Sequence, residues 1–245
     1  MQKFTLLLLA VGSALHADGS SVDLPENSDA PAVRRAIASG ADTNLYNSRG
    51  QTALMIAAKN NLVEIVEVLI KAGAQIDLQD KYDRETALGF AASSGALEAA
   101  RLLVAAKANL NLRNKYDMTP LMRVLHREKY DVRHGEFALL LIGSGADVNA
   151  VADNGVTCLM YAIIHSDQVT RALLAARADV NARTKWGETA LMRAAAQGYE
   201  SRVKLLLNAK ADPNIVNNKG QSALAMARAA QRKDIEKILV NGGAR

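Results

Sequence analysis

Aromatic residues make up only 4% of this 245-residue chain, and cysteine occurs once, at Cys158. With so few rings, any core has to be assembled from Ala, Leu and other small side chains packed at close spacing. A lone cysteine makes no intramolecular disulfide, so an oxidising compartment has to be tolerated without covalent staples. Past the first residues no apolar run approaches the roughly 20 residues that span a bilayer. Charge of one sign is also not concentrated: the net +5 arises from 30 basic and 25 acidic residues with no basic run, which decides little about nucleic acid. Catalytic patterns are missing as well. There is no H-E-x-x-H, no C-x-x-C and no G-x-x-x-x-G-K-[ST], and the histidines are only His16, His126, His134 and His165. "GSGADV" from Gly143 begins like a dinucleotide fingerprint but lacks the third Gly and closes a helix instead of opening one. No catalytic residue, cofactor or metal is therefore assigned. A metal set of His126, His134 and Glu136 is the one arrangement to consider, and its spacing fits no known ligand pattern.

What is present is a foldable composition, 49% hydrophobic and 22% charged, and an N-terminus with its own character. Lys3 precedes an apolar run, "FTLLLLAV", and then the small residues "GSALHA". This is the layout of a secretory signal peptide over residues 1–17, cleaved after Ala17 or Ala14. Residues 18–28 read as a polar linker. The expectation is export to the periplasm or the secreted space, with no membrane insertion once the signal is cleaved.

The rest of the chain repeats. A helix-opening motif recurs as "QTALMIAAKNN" at Thr52, "ETALGFAASSG" at Thr86, "MTPLMRVLHRE" at Thr119, "VTCLMYAIIHS" at Thr157, "ETALMRAAAQG" at Thr189 and "QSALAMARAAQ" at Ser222. The successive spacings are 34, 33, 38, 32 and 33 residues. A second marker keeps the same phase: "SGADTN" at Gly40, "AGAQID" at Gly73, "AKANLN" at Lys107, "SGADVN" at Gly145, "ARADVN" at Arg177, "AKADPN" at Lys210 and "GGAR" at Gly243. Each Thr or Ser predicts an N-cap, because its hydroxyl accepts a hydrogen bond from a free backbone N–H of the first turn. The small residues that follow let neighbouring helices approach. A second helix such as "LVEIVEVLIKAG" carries its apolar residues at helical spacing, and Gly ends it in a left-handed conformation. Lys107, Arg177 and Lys210 take that glycine's place, where a cation gains from the helix C-terminal dipole. Cys158 reads as a small buried packing residue.

T-A/P-L, then A-A, an L-L-L run and G-A-D-x-N every 33 residues resembles the ankyrin repeat, over about Ala30 to Arg245. The resemblance implies an all-α solenoid of helix-turn-helix units joined by hairpin-like fingers. We count six full repeats plus one partial N-terminal repeat, in a domain spanning 29–245. A single unit does not bury its apolar stripe alone, so stability comes from stacking on neighbours. The family's fingers and first helices line a concave surface that grips protein partners. Carried onto this chain, the groove positions two residues after the T-x-L leucine are Ile56, Phe90, Arg123, Tyr161, Arg193 and Met226, joined by His126. The finger positions are Lys81, Tyr82, Lys115, Tyr116, Lys185 and Trp186. Aromatics and Arg dominate protein interfaces, so the expectation is a non-catalytic scaffold that binds one or more proteins, preferably with acidic groups, and takes no small-molecule substrate. Tyr82, Tyr116 and Trp186 have a second reading, as rings packed on the next finger. The alternative function is a polyanion or nucleic-acid binder using the same basic and aromatic ridge, against which export argues.

One stretch breaks the period. "HREKYDVRHGEF" from His126 holds five extra residues, since Thr119 to Gly145 spans 26 positions where Thr52 to Gly73 spans 21. They fall between the two helices of one repeat, and "KYDVR" is expected to form a longer surface loop.

Overall fold

The computed structural model describes residues 30–126 and 130–245; the signal segment and linker expected at 1–17 and 18–28 lie outside them. Every regular element among the described residues is helical, thirteen helices in all. The chain divides into two compact units, one ending at Lys115 and one running from Tyr116 to Arg245.

The first unit contains α1 (Ala30–Ala38), α2 (Ala53–Lys59), α3 (Val63–Lys71), α4 (Ala87–Ser94) and α5 (Leu97–Ala105). Helix α1 has no partner from its own repeat among the described residues, as a partial first repeat requires. The second unit pairs α6 (Pro120–Leu125) with α7 (Val132–Gly143), α8 (Cys158–His165) with α9 (Asp167–Ala175), α10 (Ala190–Gln197) with α11 (Glu200–Asn208), and α12 (Ala223–Ala229) with α13 (Lys233–Asn241). Six helix pairs and one single helix make the expected repeat count.

Each first helix opens as its sequence predicts. The hydroxyls of Thr52, Thr86, Thr119, Thr157, Thr189 and Ser222 accept hydrogen bonds from backbone N–H groups three residues on, at 3.1–3.4 Å. Such caps are each worth about 1 kcal/mol. The first helices bury small residues on both sides of one leucine, as with Ala53, Leu54, Ala57 and Ala58 in α2. The second helices bury a larger stripe, Ile65, Val66 and Leu69 in α3 and Phe137, Ala138 and Leu141 in α7. Cys158 is fully buried at the start of α8, and burial pushes its thiol up to about 12. It is a packing residue, held as the inert thiol at neutral pH.

The second helices end in left-handed backbone at Gly40, Gly73, Gly145 and Gly243, and equally at Lys107, Arg177 and Lys210, with φ of 67°, 63° and 68°. A side chain in that conformation costs roughly 1–2 kcal/mol, while a cation on the C-terminal dipole returns about 0.3–1 kcal/mol. The strain therefore wins. Lys210→Gly should raise the unfolding free energy of the 116–245 unit by about 0.5–1 kcal/mol, read as a higher urea midpoint at unchanged slope.

The fingers are held by two ladders that account for the G-A-D-x-N marker. Within a repeat, Asp42, Asn109, Asp147, Asp179 and Asp212 accept a hydrogen bond from the backbone N–H two residues on, at 2.8–2.9 Å. Between repeats, the side-chain oxygens of Asn44, Asp77, Asn149, Asn181 and Asn214 accept from a backbone N–H of the following repeat, at 2.7–3.0 Å. Backbone bonds add to this: Lys81 N–H donates to Gly50 C=O and Lys185 N–H to Asn154 C=O. A Cβ on Gly155 would lie 2.7 Å from the Lys185 nitrogen. That finger closes only on glycine.

The long repeat departs from expectation. Part of "KYDVR" is helix: Asp131 is the N-cap of α7, accepting from His134 N–H at 3.2 Å, and Val132 and Arg133 form its first turn. Helix α6 in turn is only six residues long. The second helix of this repeat is twelve residues long where the others have nine, and Asp131 caps it, whereas among the other second helices of complete repeats only the one opened by Ser166 has a side-chain cap.

Candidate protein-binding surface

In the first unit the inner row consists of Ile56 and Phe90, each half-buried on its helix. In the second it consists of Arg123, Tyr161, Arg193 and Met226, also half-buried, with His126 exposed at the end of α6. Apart from His126, each of these side chains rests partly on its own scaffold.

Within the second unit these residues form two clusters. His126 meets Tyr161 edge to face, with ring centroids 5.1 Å apart. Burial raises the Tyr161 hydroxyl above its ordinary range, against the opposing pull of Arg193. Arg193 and Met226 share a cavity of about 390 Å³ with Ile164, Glu188, Gln197 and Tyr199. There the Arg193 guanidinium pairs with Glu188 at 3.4 Å, both side chains being about one quarter exposed. Below the cavity, Arg202 lies over the Tyr199 ring at 4.7 Å and pairs with Asp167 at 2.8 Å. The cavity thus mixes apolar lining from Ile164, Ala196 and Met226 with one ion pair, Arg193–Glu188.

Ile164, Glu188, Gln197 and Tyr199 were not among the expected site residues. The signal for two of them was present, because Ile164 follows Tyr161 by three positions and Gln197 follows Arg193 by four, the spacing that shares a helix face. Glu188 and Tyr199 enter from the finger and the inter-helix turn, where periodicity says nothing of direction.

The fingers separate their aromatics from their cations. Tyr82, Tyr116 and Trp186 are 66%, 52% and 56% exposed. More than half of each residue's surface is open to solvent. Their lysine neighbours in the first unit are engaged internally: the Lys81 ammonium sits over the Tyr46 ring at 5.0 Å, and Lys115 is ion-paired with Asp83. Lys185 is exposed, with its carbonyl accepting from the Asn218 side chain at 3.0 Å.

Among the described residues no group of His, Cys, Asp and Glu side chains is arranged to hold a metal ion. No described helix is long and apolar enough to cross a membrane.

Comparison with known proteins agrees with this architecture. A family model of ankyrin repeats, in three-copy blocks, matches residues 25–114, 62–149, 125–217 and 167–245. No curated protein sequence gives a significant match. Among solved structures, the ankyrin repeat domain of Bcl-3, described as a unique member of the IkappaB protein family, is 26% identical with a TM-score of 0.75. That match covers 95% of this chain and 97% of the other. A chain from the complex of the Bd0816 predatory endopeptidase of Bdellovibrio bacteriovorus with immunity protein Bd3460 is 28% identical with a TM-score of 0.67, covering 80% of this chain and 99% of the other. With its repeats, caps, fingers and family match in one phase from end to end of the described residues, the chain belongs to the ankyrin-repeat family.

Proposed function

We propose that this protein is a non-catalytic scaffold, exported to the periplasm or the secreted space, that holds a partner protein against its finger tips and inner helices. The observation that carries the reading is the pairing of solvent-exposed rings at the finger tips, Tyr82, Tyr116 and Trp186, with a half-buried Arg and aromatic row behind them. Large rings held on a rigid scaffold bury much area at little entropic cost, so affinity does not have to offset a folding step. The endopeptidase complex with an immunity protein supports the class of partner, another protein. The signal-like first 17 residues support the location, and an epitope-tagged chain should appear in the periplasmic or culture fraction about 17 residues shorter than its precursor.

A polyanion partner is the second reading, favoured by exposed Lys185 and Lys219. The engaged state of Lys81 and Lys115 weighs against it, since a cation already spent on Tyr46 or Asp83 releases fewer counterions on binding. Crosslinking in the native cell envelope followed by mass spectrometry identifies the partner. Salt then separates the classes: a protein partner should lose less than about tenfold in affinity between about 50 and 200 mM salt, whereas a polyanion bound through six or more phosphates loses about 10³-fold. A steep slope, or recovery of nucleic acid alone, would overturn the scaffold reading.

A further inference from the structure

The inserted residues of the long repeat bring side chains together that no other repeat contains. Tyr130, just ahead of α7, lies flat on His165 at the C-terminal end of α8, with centroids 4.6 Å apart and planes 8° from parallel. Tyr130 also meets the His134 ring, tilted by 31°, with centroids 5.7 Å apart. His134 is buried, with Nδ1 2.7 Å from the Asp131 carboxylate. Among the described residues neither the Tyr130 hydroxyl nor His134 Nε2 has a hydrogen-bond partner, although both atoms are buried. The assembly is therefore held by ring contact and by the Asp131 cap, with little polar bonding to lock it.

We propose that the Tyr130–His165 stack is a proton-sensitive joint between the fourth and fifth repeats, closed while His165 is neutral and loosened when His165 takes up a proton. The groups facing His165 come from four elements. Tyr130 and His134 approach from α7 and its approach, with Asp131 held to His134 and Arg133. His126 approaches from the end of α6, and Arg202 from α11, partly countered by Asp167 of α9. An imidazolium at this position meets a fixed guanidinium and two further imidazoles, and it has lost part of its water to the Tyr130 ring. Burial first, then Arg202, His134 and His126, hold the His165 pKa below its ordinary value. A cation over a tyrosine face gains something in return, and the competition between that gain and the burial decides the sign.

For a group whose folded pKa is depressed, stability is fully present above the unfolded value of about 6.5. It is lost as pH falls from there through the folded value, below which no further loss accrues. Loosening acts first on α7 and α9, which pack on one another around this joint. It also reaches His126 and so its contact with Tyr161; that consequence for the groove rests on the binding reading above, whereas the joint itself does not.

Imidazole-detected NMR titration of the full chain tests it without any partner. His165 should titrate below about 6.5, and through-space signals between the Tyr130 and His165 rings should fade as pH drops through that midpoint. In Tyr130→Leu, which removes the ring and re-exposes the imidazole, the His165 midpoint should rise by about half a unit or more. A wild-type midpoint at or above about 6.5 would mean that the ring stabilises the cation, and the proposal fails. Ring signals that persist below the midpoint overturn it equally. Should Tyr130→Leu not fold, the two wild-type readouts decide the matter.

Discussion

Phe137→Ala lowers the unfolding free energy of the 116–245 unit by about 3–5 kcal/mol, the cost of a large ring removed from a filled site. Phe137 has no exposed surface and is the largest wholly buried side chain among the described residues. It sits in the middle of α7, which packs on α6 within its repeat and on α9 of the next. Domains of this size are stable by about 5–15 kcal/mol, so the loss consumes a large part of the reserve. A solenoid distributes such damage by nearest-neighbour coupling. Hydrogen exchange should therefore accelerate in α6, α7 and α9 before it does in α12 and α13. Phe137→Leu, which keeps most of the volume, should cost less than half as much. A Phe137→Ala protein that unfolds within about 1 kcal/mol of wild type would place α7 outside the core.

Much of this fold was legible because its markers repeat in sequence at the period at which the units repeat in space. A Thr every 33 residues becomes a cap every 33 residues, since capping is local and needs only the next three positions. The cations at Lys107, Arg177 and Lys210 were legible for the same reason: their left-handed backbone follows from phase alone. What was not legible depends on a neighbour in another repeat. Lys81 reads as an unengaged cation until Tyr46, 35 positions earlier, lies under it, and Lys115 until Asp83 pairs with it, although both stay exposed. The Asn of G-A-D-x-N could be seen to recur, but its acceptor role toward the next repeat's backbone could not. The insertion was misjudged in a different way. A surplus of five residues suggests a loop, yet Asp131 and His134 stand at capping distance, and the second helix is three residues longer than in the other repeats.

The half-burial of the inner row also changes what a functional test should mutate. Tyr161 supports His126, and Arg193 pairs with Glu188 in the cavity wall. Removing Phe90, Arg123, Tyr161 and Arg193 together should abolish binding, but it also removes partly buried surface, at about 25 cal/mol per Å². A loss of binding from that variant mixes recognition with stability. The finger aromatics do not carry that ambiguity, being more than half exposed.

Trp186→Ala should therefore be the sharpest single test of the scaffold reading, weakening partner capture by about 30- to 1,000-fold, the 2–4 kcal/mol range of an aromatic hot spot. Its thermal unfolding should stay within about 0.5 kcal/mol of wild type, as for an exposed site. The backbone at Trp186 is fixed independently of the ring: its N–H donates to the Thr184 hydroxyl at 3.3 Å and its carbonyl accepts from Asn218 N–H at 2.9 Å. The finger therefore keeps its shape when the ring is removed. Tyr82→Ala makes the corresponding test in the first unit, where Lys81 remains seated on Tyr46. A partner that spans fingers of both units should respond to each substitution, and one confined to the second unit only to Trp186. If capture by the crosslinked partner survives both substitutions within about twofold, Tyr82 and Trp186 are not hot spots, and recognition falls to the inner row with its His126–Tyr161 and Arg193–Glu188 clusters.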